Sequence, residues 1–92
     1  MRIRVRFFAR FRELLGTDIE PGIPEGTTFQ DAIKAVTVQS REGHDAIFDE
    51  CGAFREFVIL MRNGKRVEHA DAASVVLKDG DEIAVFPPVA GG

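Results

Sequence analysis

Tryptophan and tyrosine are missing from this chain, and cysteine occurs once. All of its aromatic surface comes from eight phenylalanines. Phe carries no polar handle, so each one belongs to a core or to an interface. With Cys51 alone, no internal disulfide can form, and no Cys/His spacing reads as a zinc site. That usage fits a reducing cytosol, and a cytoplasmic location is expected. A basic excess is also lacking: the net charge is −3, which argues against general nucleic-acid binding. No apolar run approaches the length that spans a membrane. The N-terminus alternates Arg with apolar residues and so does not read as a signal peptide.

What is present fits one folded domain. The 92 residues are 45% apolar and 29% charged, a balance that suits a soluble globular chain. In Arg2 to Phe8, Ile3, Val5 and Phe7 share one side and Arg2, Arg4 and Arg6 the other. Period two predicts a strand with one face on the core and one in water. Arg10 to Leu15 predicts a short helical turn stopped by Gly16. Thr17 to Ile23 predicts an edge strand weakened by Pro21-Gly22.

Thr28 caps the clearest helix, with Asp31 in its first turn and Phe29, Ile33 and Val36 on one buried face. Gly43 reads as its stop, and His44 to Glu50 as a short helix or irregular loop. Phe54 to Arg62 predicts a strand that turns at Asn63-Gly64 into a short strand at Lys65 to Glu68. Val75 to Leu77 leads through a turn at Lys78 to Asp81 into a last strand around Ile83 and Val85. Pro87-Pro88 ends that strand, because proline donates no ladder hydrogen bond. The order of elements predicts an α+β roll: a mixed sheet of about four to five strands with one main helix packed across it. Residues 1–86 form the domain and 87–92 a flexible tail.

The tail reads Pro87-Pro88-Val89-Ala90-Gly91-Gly92, with no charge and nothing bulky past Val89. Six extended residues reach roughly 20 Å at about 3.3 Å each. Glycines without Cβ atoms fit a channel too narrow for other residues. A carboxylate on such an end is a poor electrophile. Once it attacks the α-phosphate of ATP it becomes an acyl-adenylate, open to a sulfur donor or an amine. The ATP and the catalytic groups would belong to a partner.

The stretch Asp79-Gly80-Asp81-Glu82-Ile83-Ala84-Val85-Phe86-Pro87-Pro88-Val89-Ala90-Gly91-Gly92 resembles the C-terminal signature of the small subunit of molybdopterin synthase, the MoaD type. Ala9-Arg10-Phe11-Arg12-Glu13-Leu14-Leu15-Gly16 is similar to that family's start, and Thr28 and Asn63-Gly64 fit as well. The resemblance implies a β-grasp, ubiquitin-like fold. It implies adenylation of Gly92 by an E1-like enzyme, conversion to a thiocarboxylate, and insertion of the tail into the large synthase subunit. There the sulfur passes to a pterin precursor of the molybdenum cofactor. No cofactor is bound permanently; ATP is used by the activating partner. On this basis Gly92 is the reacting group, and Phe86, Pro87, Pro88, Val89, Ala90 and Gly91 form the partner-binding approach. The sulfur carrier of thiamine synthesis shares the fold and the Gly-Gly end without the Phe-Pro-Pro approach. Archaeal relatives with this tail can be joined to lysines, and tRNA thiolation is a further use of such a carrier. The segment from Val38 to Phe54 is longer than a compact member requires.

Other candidates have two readings each. The arginines at the N-terminus bring the first sixteen residues to +4 once Glu13 is counted. They form either a solvated strand face or, through Arg4 and Arg6, an electrostatic docking face. Phe8, Phe11 and Phe86 belong either to an exposed interface or beneath the short helix. Cys51 is expected to be a small core residue, His44 and His69 plain loop residues, and Asp79, Asp81 and Glu82 ordinary turn chemistry. None of these predicts a metal site.

Overall fold

Strand β1, Arg4–Phe7, takes the alternation literally: Val5 and Phe7 are buried, Arg4 is exposed and Arg6 half-buried. The computed structural model describes residues 1–87. Within it β1 lies near the middle of a five-stranded sheet completed by β2 (Asp18–Ile19), β3 (Ile59–Arg62), β4 (Lys65–Val67) and β5 (Glu82–Phe86). The spatial order is β2-β1-β5-β3-β4. β1 and β5 run parallel, and the other three pairings are antiparallel. The first and last strands of the chain therefore sit side by side at the sheet's centre.

Helix α2, Phe29–Thr37, packs on one face of this sheet. Its N-terminus is fixed by Thr28, whose Oγ1 accepts a hydrogen bond from the Asp31 amide at 3.2 Å. Phe29, Ala32 and Ile33 are fully buried against Val5, Phe7, Leu60, Ile83 and Val85, which make up the other half of the core. The result is the ubiquitin-like β-grasp arrangement, an α+β fold.

Two shorter helices flank the main one: α1 (Ala9–Leu15) forms where the Arg10 to Leu15 turn was expected and stops at Gly16, and α3 (Arg41–Ile47) starts three residues before the short helix or loop expected at His44. Gly43 is not the stop of α2. That helix ends at Thr37, and Ser40 caps α3 by accepting from the Gly43 amide at 3.0 Å. Gly43 lies inside α3 because a side chain there would run into Leu15 of α1. Its smallness serves a helix contact.

The strand expected from Phe54 begins only at Ile59. Phe54 instead bridges Phe48 across a turn, and the Arg55 amide donates to the Ile47 carbonyl at 2.8 Å. The edge strand at Thr17 to Ile23 shrinks to two residues. The Asn63-Gly64 turn forms as predicted, with φ of 50° and 81°, the left-handed pair that a tight hairpin requires.

Candidate functional site

Strand β5 delivers the chain's end. Ile83 and Val85 face the core, while Glu82, Ala84 and Phe86 stand half-buried on the opposite face, away from α2. Parallel pairing with β1 puts Arg4 beside Glu82 and Arg6 beside Ala84. Antiparallel pairing with β3 puts Met61 beside Ala84 and Ile59 beside Phe86. The Phe86 ring stacks on Phe8, with centroids 4.2 Å apart and planes 9° from parallel. Ile59, Met61, Ala84, Phe8 and Phe86 thus form a continuous, half-buried apolar patch at the base of the tail. Pro88, Val89, Ala90, Gly91 and Gly92 lie outside the described residues.

Charge borders this patch. Arg4 meets Glu82 at 3.4 Å, and Arg6 meets Asp18 at 3.0 Å and Glu82 at 3.7 Å. The Arg6 guanidinium also rests over the Phe8 ring, 5.4 Å from its centroid. The N-terminal arginines therefore spend part of their charge on carboxylates of their own sheet. Such exposed pairs add little to stability, and they keep the face near neutral on this side.

A groove opens between the Phe8–Phe86 stack and the α1/α3 corner, walled by Phe8, Ala9, Arg10, Phe57, Phe86 and Pro87. Phe57 is 50% exposed. At its far wall Asp45 is held below the usual carboxylate range, chiefly by a hydrogen bond from the His44 ring at 3.1 Å. Of the two readings open for Phe11, burial holds. It is 2% exposed in the core under α1, so it supports the groove floor and offers no free surface. Phe8 and Phe86 remain partly accessible.

Three polar expectations change. Cys51 is exposed, not a core residue: Asp49 accepts from its amide and from that of Ala53, forming a turn that turns position 51 outward. His69 is no plain loop residue; its Nε2 bonds the Val58 carbonyl while the ring packs near Phe54. Asp81 does far more than close a turn. It is buried and binds Arg62 Nε at 3.0 Å, Asn63 Nδ2 at 2.9 Å and the Lys78 amide at 2.8 Å. Burial alone would raise its pKa, but these donors outweigh burial and hold the carboxyl below its usual value. Asp81 thereby ties the β3–β4 hairpin to the start of β5. Among the described residues, no group of three His, Cys, Asp or Glu side chains could hold a metal ion. Nor is any helix there long and apolar enough to cross a membrane.

The patch residues Ile59, Met61 and Ala84 were absent from the sequence candidates. Extending the register back from Asn63-Gly64 would have found Met61 opposite Arg66. Placing Ala84 beside it requires the β3–β5 pairing, which no local signal gives.

Comparison with known proteins agrees with this fold. The small archaeal modifier protein 3 of Haloferax volcanii is 36% identical over 93 residues, covering 100% of both chains. The molybdopterin synthase sulfur carrier subunit of Aedes aegypti is 36% identical over 95 residues, covering 100% of this chain and 90% of its own. The crystal structure of SAMP1 from Haloferax volcanii superposes with a TM-score of 0.87 at 25% identity, covering 100% of both chains. The model of the ThiS family matches residues 5–92. A match of that extent, reaching from β1 through the last glycine, makes this chain a member of the ThiS family.

Proposed function

We propose that the chain is a sulfur carrier for molybdopterin synthesis, acting through the carboxylate of Gly92. A carboxylate oxygen attacks the α-phosphate of ATP on an E1-like enzyme, and pyrophosphate leaves. A sulfur donor then displaces AMP, and the thiocarboxylate so formed gives its sulfur to a pterin precursor in the large synthase subunit. This chain is the carried substrate in both encounters, and the catalytic groups lie on its partners. The observation that carries the reading is full-length similarity to proteins named molybdopterin synthase sulfur carrier subunit. The geometry supports it: β5 ends at Phe86-Pro87 beside a half-buried apolar patch, so a partner that grips the patch also receives the residues beyond Pro87.

A second reading has its own support, since the modifier protein of Haloferax volcanii matches over its whole length. In that reading the adenylate is attacked by a lysine amine and an amide results. Incubation with ATP, an activating enzyme and a sulfur source separates the two. Intact mass spectrometry is expected to show one oxygen of the chain replaced by sulfur. No change with an enzyme proven competent on its own carrier would sink the carrier reading, and branched peptides at Gly92 in cell extracts would favour the modifier.

A further inference from the structure

Strand β5 ends between two neighbours that run on past it. Phe7 pairs with Val85 and Ile59 with Phe86, so the chain after β1 and the chain before β3 both extend beyond the end of β5. Phe8, Ala9 and Arg10 lie on one side of that extension, Arg55 and Phe57 on the other, and together they wall the groove at the α1/α3 corner. Ala9 stands at φ 52°, a left-handed conformation uncommon outside glycine, where the chain leaves the line of β1 for α1. The groove therefore continues the axis of β5, and Pro87 is already one of its walls. Its volume of about 960 Å³ has room for a short peptide. The two cations in it are placed differently. Arg10 is matched by Glu42 at 3.6 Å. Half-buried Arg55 donates from Nε to the Asp45 carbonyl, a neutral acceptor, at 2.6 Å, while the Asp45 carboxylate is taken by Arg41 and His44. Among the described residues Arg55 forms no ion pair.

We propose that this groove is a resting seat for the chain's own residues 88–92, with Val89 against the apolar walls and the carboxylate of Gly92 on Arg55. The occupant follows from what leaves Pro87. Residues 88–92 carry one sizeable free apolar side chain, Val89, no charged side chain, and a single anion at the end. Extended, they reach roughly 17 Å at about 3.3 Å each. Apolar walls with one unmatched cation are the complement of such a segment, and the fixed φ of Pro87 and Pro88 limits how sharply it can turn aside. One small apolar contact and one partly exposed ion pair make a shallow seat, so a partner that takes hold of the tail can lift it out. The seat does not depend on the carrier reading, but its use does. A thiocarboxylate is also an anion and fits the same place. The cations around it are arginines, whose protonated guanidinium does not attack an acyl carbon as a lysine amine does.

The test is NMR of the free, 15N-labelled full chain. The amide order parameters of Val89 and Ala90 are expected to be higher in the parent than in Arg55→Gln. They should also exceed those of a chain ending in a Gly92 carboxamide, which removes the charge and leaves the groove untouched. In both altered chains they should fall below about 0.6, as in mobile backbone. Deleting residues 88–92 should shift the amides of Ala9, Ala46 and Phe57 and the Arg55 Nε–H, and leave those of Lys65 and Val67 in place. None of the parent's values should change on dilution; a dependence on concentration makes the occupant the tail of a second copy and overturns the inference. Order parameters equal in all three chains overturn it as well, as does a deletion that moves no groove signal. The groove is then left to a segment of another protein, and the carrier reading stands. A seated tail that takes up no sulfur from a competent activating enzyme overturns the carrier reading alone. If Arg55→Gln fails to fold, the carboxamide decides.

Discussion

Strand β5 carries two surfaces with opposite duties. Ile83 and Val85 are fully buried under α2, in contact with the rest of the core. Glu82, Ala84 and Phe86, interleaved with them, are half-buried on the opposite face. A period of two lets five residues serve both the fold and the encounter with another protein. The two duties are therefore separable. Changes on the covered face should cost stability, and changes on the open face or beyond Pro87 should cost partner chemistry.

The strongest way to break that separation is at the tail. Deleting Gly91-Gly92 is expected to abolish thiocarboxylate formation while moving the melting temperature by no more than about 1 °C, since the described strands, helices and core residues all end by Phe86. Intact mass and a thermal melt check both halves; a large drop in melting temperature would show that tail and fold are coupled. Ile83→Ala should do the reverse. It removes a fully buried branched side chain and should cost about 3 kcal/mol in urea unfolding, with KM unchanged wherever the chain remains folded.

Asp81→Ala sharpens the comparison because this residue works at the join between the hairpin and β5. Loss of three hydrogen bonds at a buried carboxylate should cost about 2 kcal/mol. The pH dependence has a definite sign. The folded carboxyl sits below its ordinary value of 3.8, so its ionised form is stabilised by folding. That contribution is full above the unfolded value and disappears as pH falls through the folded one. The stability gap between parent and Asp81→Ala should therefore be constant at neutral pH and narrow below about pH 4. Unfolding curves across that range measure it.

Phe8→Ser probes the open face. It removes one ring of a half-buried stack, worth about 1 kcal/mol, and should raise the KM for the activating enzyme severalfold.

Features written in a few neighbouring residues were legible in the sequence. The Arg/apolar alternation of β1, the Thr28 cap, the Asn63-Gly64 turn and the end of β5 at Phe86 all depend on local geometry, and each appears where its residues predict. The order of elements already pointed to an α+β roll with a mixed sheet, and the resemblance added the β-grasp name and the C-terminal approach. Features set by distant neighbours were not legible. Gly43 looked like a helix stop because glycine usually is one, and only Leu15 of another helix explains it inside α3. Asp81 looked like turn chemistry because its partners Arg62 and Asn63 are nearly twenty residues away. Cys51 is different: its exposure comes from a local turn, in which Asp49 accepts from the amides of residues 51 and 53, and the apolar character of cysteine pointed to the core instead. The open patch requires the β3–β5 register, which is a property of the assembled sheet.

The central position of β5 has a mechanical consequence. A partner that draws the tail into a narrow channel pulls on this strand along its own axis. The load is then shared by the β1 ladder on one side and the β3 ladder on the other, all strained in shear together. Opening a hairpin from its end would break such bonds one at a time; dragging β5 out requires them to fail at once. The strand that hands over the end of the chain is thus the one hardest to pull free, and the carrier can be tugged by its tail without unravelling.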